Sequence, residues 1–429
     1  MRMIELAAVA IFIAALQSST AHADETLSKG AYLARAGDCV VCHSMSEGRA
    51  FAGGLKMTTP LGNIYSTNIT PDKDAGIGSY SLDDFSRALR QGVGKDGHHL
   101  YPAMPYPSYA KLTDEDVAAL YDYFMHEVEP VRQANIPSDI KWPLNMRWPL
   151  AVWNYLMTDR AAFQPSPEFD AEWNRGAYLV QGLGHCGACH TPRGPAFEEK
   201  ALDQNSTAFL AGGTLDNWSA ADLRGDGNAG LARWSEDDLF QFLKTGHTAT
   251  TAAFGSMSEV IDYSLKFMTD DDLRAIAKYL KSLPPANSSN QAVWVYNDAT
   301  ASDFAAGKLD RPGAATYARQ CASCHGSDGR GVNGAPALAG SPILLDPDPS
   351  SIIHIILDGR THLEVQDISD PDWMPQFRTW LDDRDTADLV TFIRSAWGNR
   401  ASATTADKIA EIRKETDPTT DNVVIYRMR

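Results

Sequence analysis

All six cysteines of the chain fall into one pattern used three times: Cys39-Val-Val-Cys42-His43, Cys186-Gly-Ala-Cys189-His190 and Cys321-Ala-Ser-Cys324-His325. No cysteine is left over, and 147 and 135 residues separate the first cysteines of successive copies. The surrounding sequence repeats as well, GAYLARAGDCVVCH returning as GAYLVQGLGHCGACH. The pattern therefore marks a repeated small domain rather than a short recurring motif.

Within one helical turn, residues i, i+3 and i+4 share a face, so two thiols and an imidazole can meet one flat macrocycle. The sulfurs then lie at its edge and the nitrogen at its metal, which is the geometry of covalent haem c attachment. A single Cys-x-x-Cys could equally be a redox pair or half of a zinc site. Three copies, each followed at once by His and with no spare cysteine, favour three covalently bound haem c groups. The cysteines are too sparse for a disulfide scaffold.

A haem iron held by His43, His190 or His325 needs a sixth ligand or an open position, and methionine opposite histidine suits electron transfer. Each unit offers one Met in the loop before its last helix: Met104 in YPAMPYP, Met257 in FGSMSE and Met374 in DWMPQF. They lie 9, 12 and 8 residues ahead of the closing helices that open at Thr113, Thr269 and Asp382. Met268 competes with Met257 but abuts a helix cap, Met45 is too close to His43, and Met125 belongs to a helix. His98, His99 and His247 read as loop residues, and His185 as a mere neighbour of Cys186.

The expected fold is all-α: three tandem class I-like cytochrome c domains over 24–128, 171–283 and 307–399, joined by Pro/Trp-rich linkers at 129–170 and 284–306, with a polar tail over 400–429. Helices between Ser81 and Gly92 and between Ser235 and Gly246 carry a cap, an apolar stripe and a glycine stop; a looser one runs from Ser351 to Gly359. The closing helices bury stripes such as Val117, Leu120, Phe124 and Leu273, Ile276, Leu280. Phe51-Ala-Gly-Gly54 and Phe209-Leu-Ala-Gly-Gly213 read as tight turns at the haem edge. In the first linker Trp142, Trp148 and Trp153 are expected to pin the chain by aromatic packing.

The chain opens with an eleven-residue apolar run, Leu6 to Leu16, ahead of Ala21-His22-Ala23. That is a cleavable secretory signal over 1–23, well short of the ~20 apolar residues a membrane span needs. Nothing beyond Asp24 is long and apolar enough to cross a bilayer. With 55 Asp and Glu against 38 Lys and Arg, the net charge of −17 disfavours nucleic acid as a partner.

The stretches FAGGLKMTTPLGNIYSTNITPDKDAGIG, HLYPAMPYPSYAKLTDEDV, WPLNMRWPLAVWN, GHCGACHTPRG and FGSMSEV are not generic to cytochromes. Through them the chain resembles the three-haem cytochrome c subunit of bacterial membrane-bound dehydrogenases, as far as about Asn399. The resemblance matches Met104, Met257 and Met374 to the family's ligand positions. It implies a large flavin- or PQQ-containing dehydrogenase subunit that oxidises substrate, a small third subunit, and delivery of electrons to ubiquinone at the periplasmic side of the inner membrane. Two other readings stand beside it: a free-standing periplasmic shuttle or subunit of another respiratory complex, and a peroxidase-type haem enzyme.

Overall fold

In the computed structural model, residues 27–45, 48–215, 218–248, 250–287, 293–332, 334–359 and 374–419 are described. The signal segment expected over 1–23 and the end of the tail, 420–429, lie outside them. The first unit comprises α1 (Lys29–Ala36), α2 (Cys39–Cys42), β1 (Lys56–Thr59), β2 (Gly62–Tyr65), α3 (Leu82–Gln91), α4 (Tyr106–Tyr109) and α5 (Asp114–His126). A connector carries α6 (Pro149–Met157). The middle unit has α7 (Ala171–Tyr178), a π-helix (Leu179–Leu183), α8 (Gly187–His190), β3 (Ala211–Leu215), β4 (Trp218–Asp222), α9 (Glu236–Thr245), α10 (Ser256–Tyr263) and α11 (Asp270–Ser282). The third has α12 (Ala299–Ala305), α13 (Ala314–Gln320), α14 (Ala322–His325), α15 (Pro342–Leu345), α16 (Ser350–Asp358), α17 (Asp383–Ile393) and α18 (Ala406–Glu415).

Local chemistry fixes the helix ends. Ser81 with Asp84 and Ser235 with Asp238 form complete capping boxes, and Gly92 and Gly246 end those helices in the left-handed conformation. Thr113, Thr269 and Asp382 cap the closing helices α5, α11 and α17 by accepting from the backbone N–H three residues on. In α16 the cap falls at Pro349, so that helix starts at Ser350, ahead of the Ser351 start the pattern suggests.

In each unit the closing helix is approached at a glycine, within the opening helix in the first two units and at the N-cap of α13 in the third. A Cβ on Gly30 would sit 2.1 Å from the Ala119 carbonyl oxygen, on Gly176 1.9 Å from that of Ala275, and on Gly313 2.2 Å from that of Asp388. Only glycine lets these backbones approach so closely.

Helices dominate, but the fold is not all-α. Two antiparallel hairpins pair Lys56 with Tyr65 and Thr59 with Gly62, and Ala211 with Asp222 and Leu215 with Trp218. Strands this short leave little trace in a sequence pattern. The second glycine-rich turn, around Gly212 and Gly213, is part of β3 rather than a free loop.

The first two units share one continuous apolar core, running from Leu33 and Phe124 through Leu179 and Leu183 to Leu273 and Leu280. Reciprocal hydrogen bonds lock the seam. Tyr32 donates to the Asp272 carboxylate (2.6 Å), and Tyr178, at the matching repeat position, donates to Asp116 (2.5 Å). Each carboxylate also meets a cation of its own unit, Lys29 on Asp116 at 2.8 Å and Arg175 on Asp272 at 2.7 Å. The contact is therefore isologous, with the same patch used from both sides.

The third unit has its own core, in which Ile353, Leu357, Val390 and Trp397 are fully buried. The stretch expected as a polar tail contributes α18, whose Ile409 and Ile412 are buried in that core; Arg413 bonds the Leu381 carbonyl and Asp383. Polar residues dominate α18, and two isoleucines one turn apart suffice to dock it. The unit meets the middle one at the second hairpin: Ser219 N–H donates to Ser351 Oγ (2.8 Å), Ser351 Oγ donates to Ser219 C=O (3.0 Å), and Trp218 stacks on His354 at 3.9 Å.

Candidate haem-binding sites

Each Cys-x-x-Cys-His stretch closes one helical turn, with the histidine N–H bonded to the carbonyl of the first cysteine at 3.0, 3.0 and 2.9 Å for His43, His190 and His325. The two thiols and the ring of each copy thus share a face. None of the six cysteines is paired in a disulfide. Burial pushes the Cys39, Cys186 and Cys321 thiols up to about 12.

The three rings are held alike. Nδ1 of His43 meets the Thr67 carbonyl at 2.7 Å, Nδ1 of His190 the Ala221 carbonyl at 2.7 Å, and Nδ1 of His325 the Pro336 carbonyl at 3.0 Å. A carbonyl can only accept, so Nδ1 carries the proton and Nε2 keeps its lone pair for a metal. Burial lowers the pKa of all three imidazoles and keeps them neutral, the ligating form.

The hairpins supply two of these carbonyls. Ala221 lies in β4, and Thr67 follows β2 by two residues. The glycine-rich turns make room: a Cβ on Gly53 would fall 2.4 Å from the Thr67 carbonyl carbon, and on Gly213 2.5 Å from the Cys189 oxygen. Gly53 N–H in turn donates to the His43 carbonyl at 2.7 Å. The third unit reaches Pro336 through the short loop after α14 instead. None of these anchoring carbonyls is visible to motif reading, because any residue type offers one.

Met104, Met257 and Met374 are each half-buried at the rim of the core that also holds the cysteine of their own unit. Met257 is not in a loop but in the first turn of α10. Its competitor Met268 is 3% exposed, enclosed in the shared core. Met45 is exposed near the first motif, and Met125 packs from α5. His98 pairs with Asp96, and His99 bonds Asn154 at 3.1 Å.

His185 is more than a neighbour of Cys186. Its ring lies against the Gly37 carbonyl and edge-on to Tyr109 at 5.7 Å, while Tyr109 donates to that same carbonyl at 3.2 Å. The residue before the second motif thus packs on the C-terminal end of α1, just ahead of the first motif. Asp38 and His185, each just before a first cysteine, both hold positive φ, 52° and 36°. Asp38 is buried, and burial together with the Glu259 charge holds its carboxyl well above the usual range.

Comparison with known proteins agrees with this geometry. The cytochrome c family profile matches residues 27–126 and 311–397. The chain is 52% identical over 409 residues to the gluconate 2-dehydrogenase cytochrome c subunit of Pantoea cypripedii, covering 94% of this chain and 92% of that one. It is 48% identical over 414 residues to the cytochrome c subunit of the quinone alcohol dehydrogenase of Gluconacetobacter polyoxogenes, covering 95% and 88%. It is 39% identical over 411 residues to the fructose dehydrogenase cytochrome subunit of Gluconobacter japonicus, covering 90% and 82%. The chain belongs to the family of cytochrome c subunits of dehydrogenases.

As such a cytochrome c subunit it carries covalently bound haem c, and its residues fit that group. Free paired thiols lie one turn apart, each next to an imidazole whose metal-binding nitrogen is kept free of the proton. The profile leaves out the middle unit. That unit nevertheless repeats the motif turn, the histidine anchor and the glycine crossing of its neighbours.

Proposed function

We propose that the chain is a triheme c-type cytochrome made of three tandem cytochrome c domains. It takes electrons from a large flavin- or PQQ-containing dehydrogenase subunit and delivers them to ubiquinone at the periplasmic face of the inner membrane. The observation that carries this is the threefold recurrence of one arrangement: a cysteine pair, an anchored histidine and a methionine at the rim of the same core. Haem c, when bound, supplies a one-electron iron centre.

The chain's own residues do the rest. Cys39 and Cys42, Cys186 and Cys189, and Cys321 and Cys324 act as tethers, and His43, His190 and His325 offer Nε2. Met104, Met257 and Met374 would supply the second protein ligand to each haem. The carbonyls of Thr67, Ala221 and Pro336 fix ring orientation, and the apolar cores keep water from the metal. The shared core of the first two units would keep two such groups within one packed body.

The relatives named for quinone, gluconate and fructose dehydrogenases support a dehydrogenase donor and a quinone acceptor, and make gluconate the first substrate to test. Haem quantitation on the purified chain should return three per polypeptide. Met104→Ala, Met257→Ala and Met374→Ala should each remove about a third of the sulfur-to-iron charge-transfer absorbance. A full band in any one variant would falsify that ligand. Copurification of a large subunit through which gluconate, an alcohol or an aldehyde reduces the haems tests the donor.

A further inference from the structure

The connector α6 is largely apolar, yet among the described residues only its inner face is packed. Inward, Asn154 is 1% exposed; it accepts from Tyr106 Oη (2.6 Å) and donates to the Gln91 carbonyl (3.0 Å). Trp153 donates to the Ala196 carbonyl at 2.8 Å and packs on Tyr106. Outward, Trp148, Val152, Tyr155 and Leu156 recur at helical spacing and are 68, 53, 78 and 63% exposed. Trp142, just ahead of the helix, is 78% exposed. A helix that is hydrophobic all round is normally enclosed, so the outer face of α6 is left uncovered by the described residues. The expectation that Trp142, Trp148 and Trp153 all pin the linker holds only for Trp153.

Charge indicates what covers it. Residues 140–158 contain Lys141 and Arg147 and no carboxylate, and the flanking Asp139 and Asp159 are engaged by Asn63 and Lys111. Arg147 is turned inward, stacked on Tyr101 at 3.6 Å, while Lys141 is exposed. Tryptophan and tyrosine rings beside leucine and valine, with a cation and no acid, form the composition that settles at the headgroup level of a bilayer. Most of this acidic chain would be repelled by anionic lipid; this stretch would be attracted. Among the described residues no helix is long and apolar enough to cross a membrane.

We infer that the outer face of α6, with Trp142 and Lys141, lies in the interface of an anionic phospholipid bilayer and holds the first unit against it. This rests on the quinone reading above, since a quinone is reached from lipid. The two are separable: quinone reduction is assayed in detergent with a short-chain quinone and the intact complex, without vesicles.

Docking is read by flotation of the purified full-length haem-loaded chain with phosphatidylcholine vesicles, with and without phosphatidylglycerol. The native chain should float, more so with phosphatidylglycerol. Trp148→Ser/Tyr155→Ser/Leu156→Ser should lower partitioning by more than about tenfold with an unchanged haem spectrum. Lys141→Glu should remove only the increment due to phosphatidylglycerol. The inference is overturned if the native chain stays unbound or if the triple variant floats like it. It is also overturned if the triple variant floats normally and loses only its large subunit, because the face is then a protein interface.

Discussion

The first two units and the third solve the same packing problem in different ways. Units one and two each leave part of their apolar surface open and close it against the other, so that Tyr32 completes the cap region of α11 and Tyr178 that of α5. The third closes on itself, using α18 as an extra wall, and touches the middle unit mainly through a hairpin edge. One repeat thus yields a fused pair and a separately cored appendage. Sequence similarity between units says little about which of them unfold together.

Calorimetry should accordingly resolve two transitions, and the helix-crossing glycines should separate them most sharply. Gly176→Ala forces a methyl into the Ala275 carbonyl and should cost the paired units about 3 kcal/mol or more, leaving the third transition in place. Gly313→Ala should do the reverse. If both variants moved both transitions equally, the division into two cooperative bodies would be wrong.

The seam itself comes next. Tyr32→Phe and Tyr178→Phe should each cost about 1–2 kcal/mol in the paired transition alone, and add when combined, because their carboxylate partners are distinct. Its pH dependence follows. Burial raises the Asp272 carboxyl, but hydrogen bonds from Arg175 and Tyr32 outweigh it and leave the group below its ordinary 3.8. Its stabilisation is therefore present above pH 3.8 and lost as pH falls through the lowered value. Burial and the Asp116 bond raise the Tyr178 hydroxyl above 10.0, so its share holds below that pH and is lost above the raised value. The paired transition should be highest between these limits, as scans across pH would show.

The smallest effect belongs to the third unit's dock. Trp218→Ala removes the stack on His354 and should leave both melting temperatures nearly unchanged while speeding protease cleavage near residues 284–298 several-fold. Unchanged cleavage would mean that the hydrogen bonds across the contact, from Ser219 to Ser351 and from Arg233 to Gly340, carry it.

Much of this was legible in the sequence, for a definable reason. Caps such as Ser81 with Asp84 and Thr269 with Asp272 act within one turn, so local residues specify them completely. The cysteine–histidine turn is equally local. What escaped reading depends on distant partners. Tyr32 looks like any amphipathic tyrosine until Asp272 is brought to it, and Thr67, Ala221 and Pro336 contribute backbone carbonyls that no side chain announces. Met257 lies in a helix because Ser256–Tyr263 packs on the shared core, and the outer face of α6 reads as ordinary core until it is found uncovered.

The π-helix over Leu179–Leu183 has a consequence for how such copies diverge. From the crossing glycine to the first cysteine the three units count 9, 10 and 8 residues, and the π-helix stands in the longest. One extra residue in an α-helix rotates everything beyond it by about 100°, enough to swing a motif off its face. Here Gly176 still meets Ala275 and His190 still meets Ala221, so the offset is absorbed between them by one widened turn. The tether of the middle unit thus keeps its angular setting although its spacing is one residue longer than the first unit's.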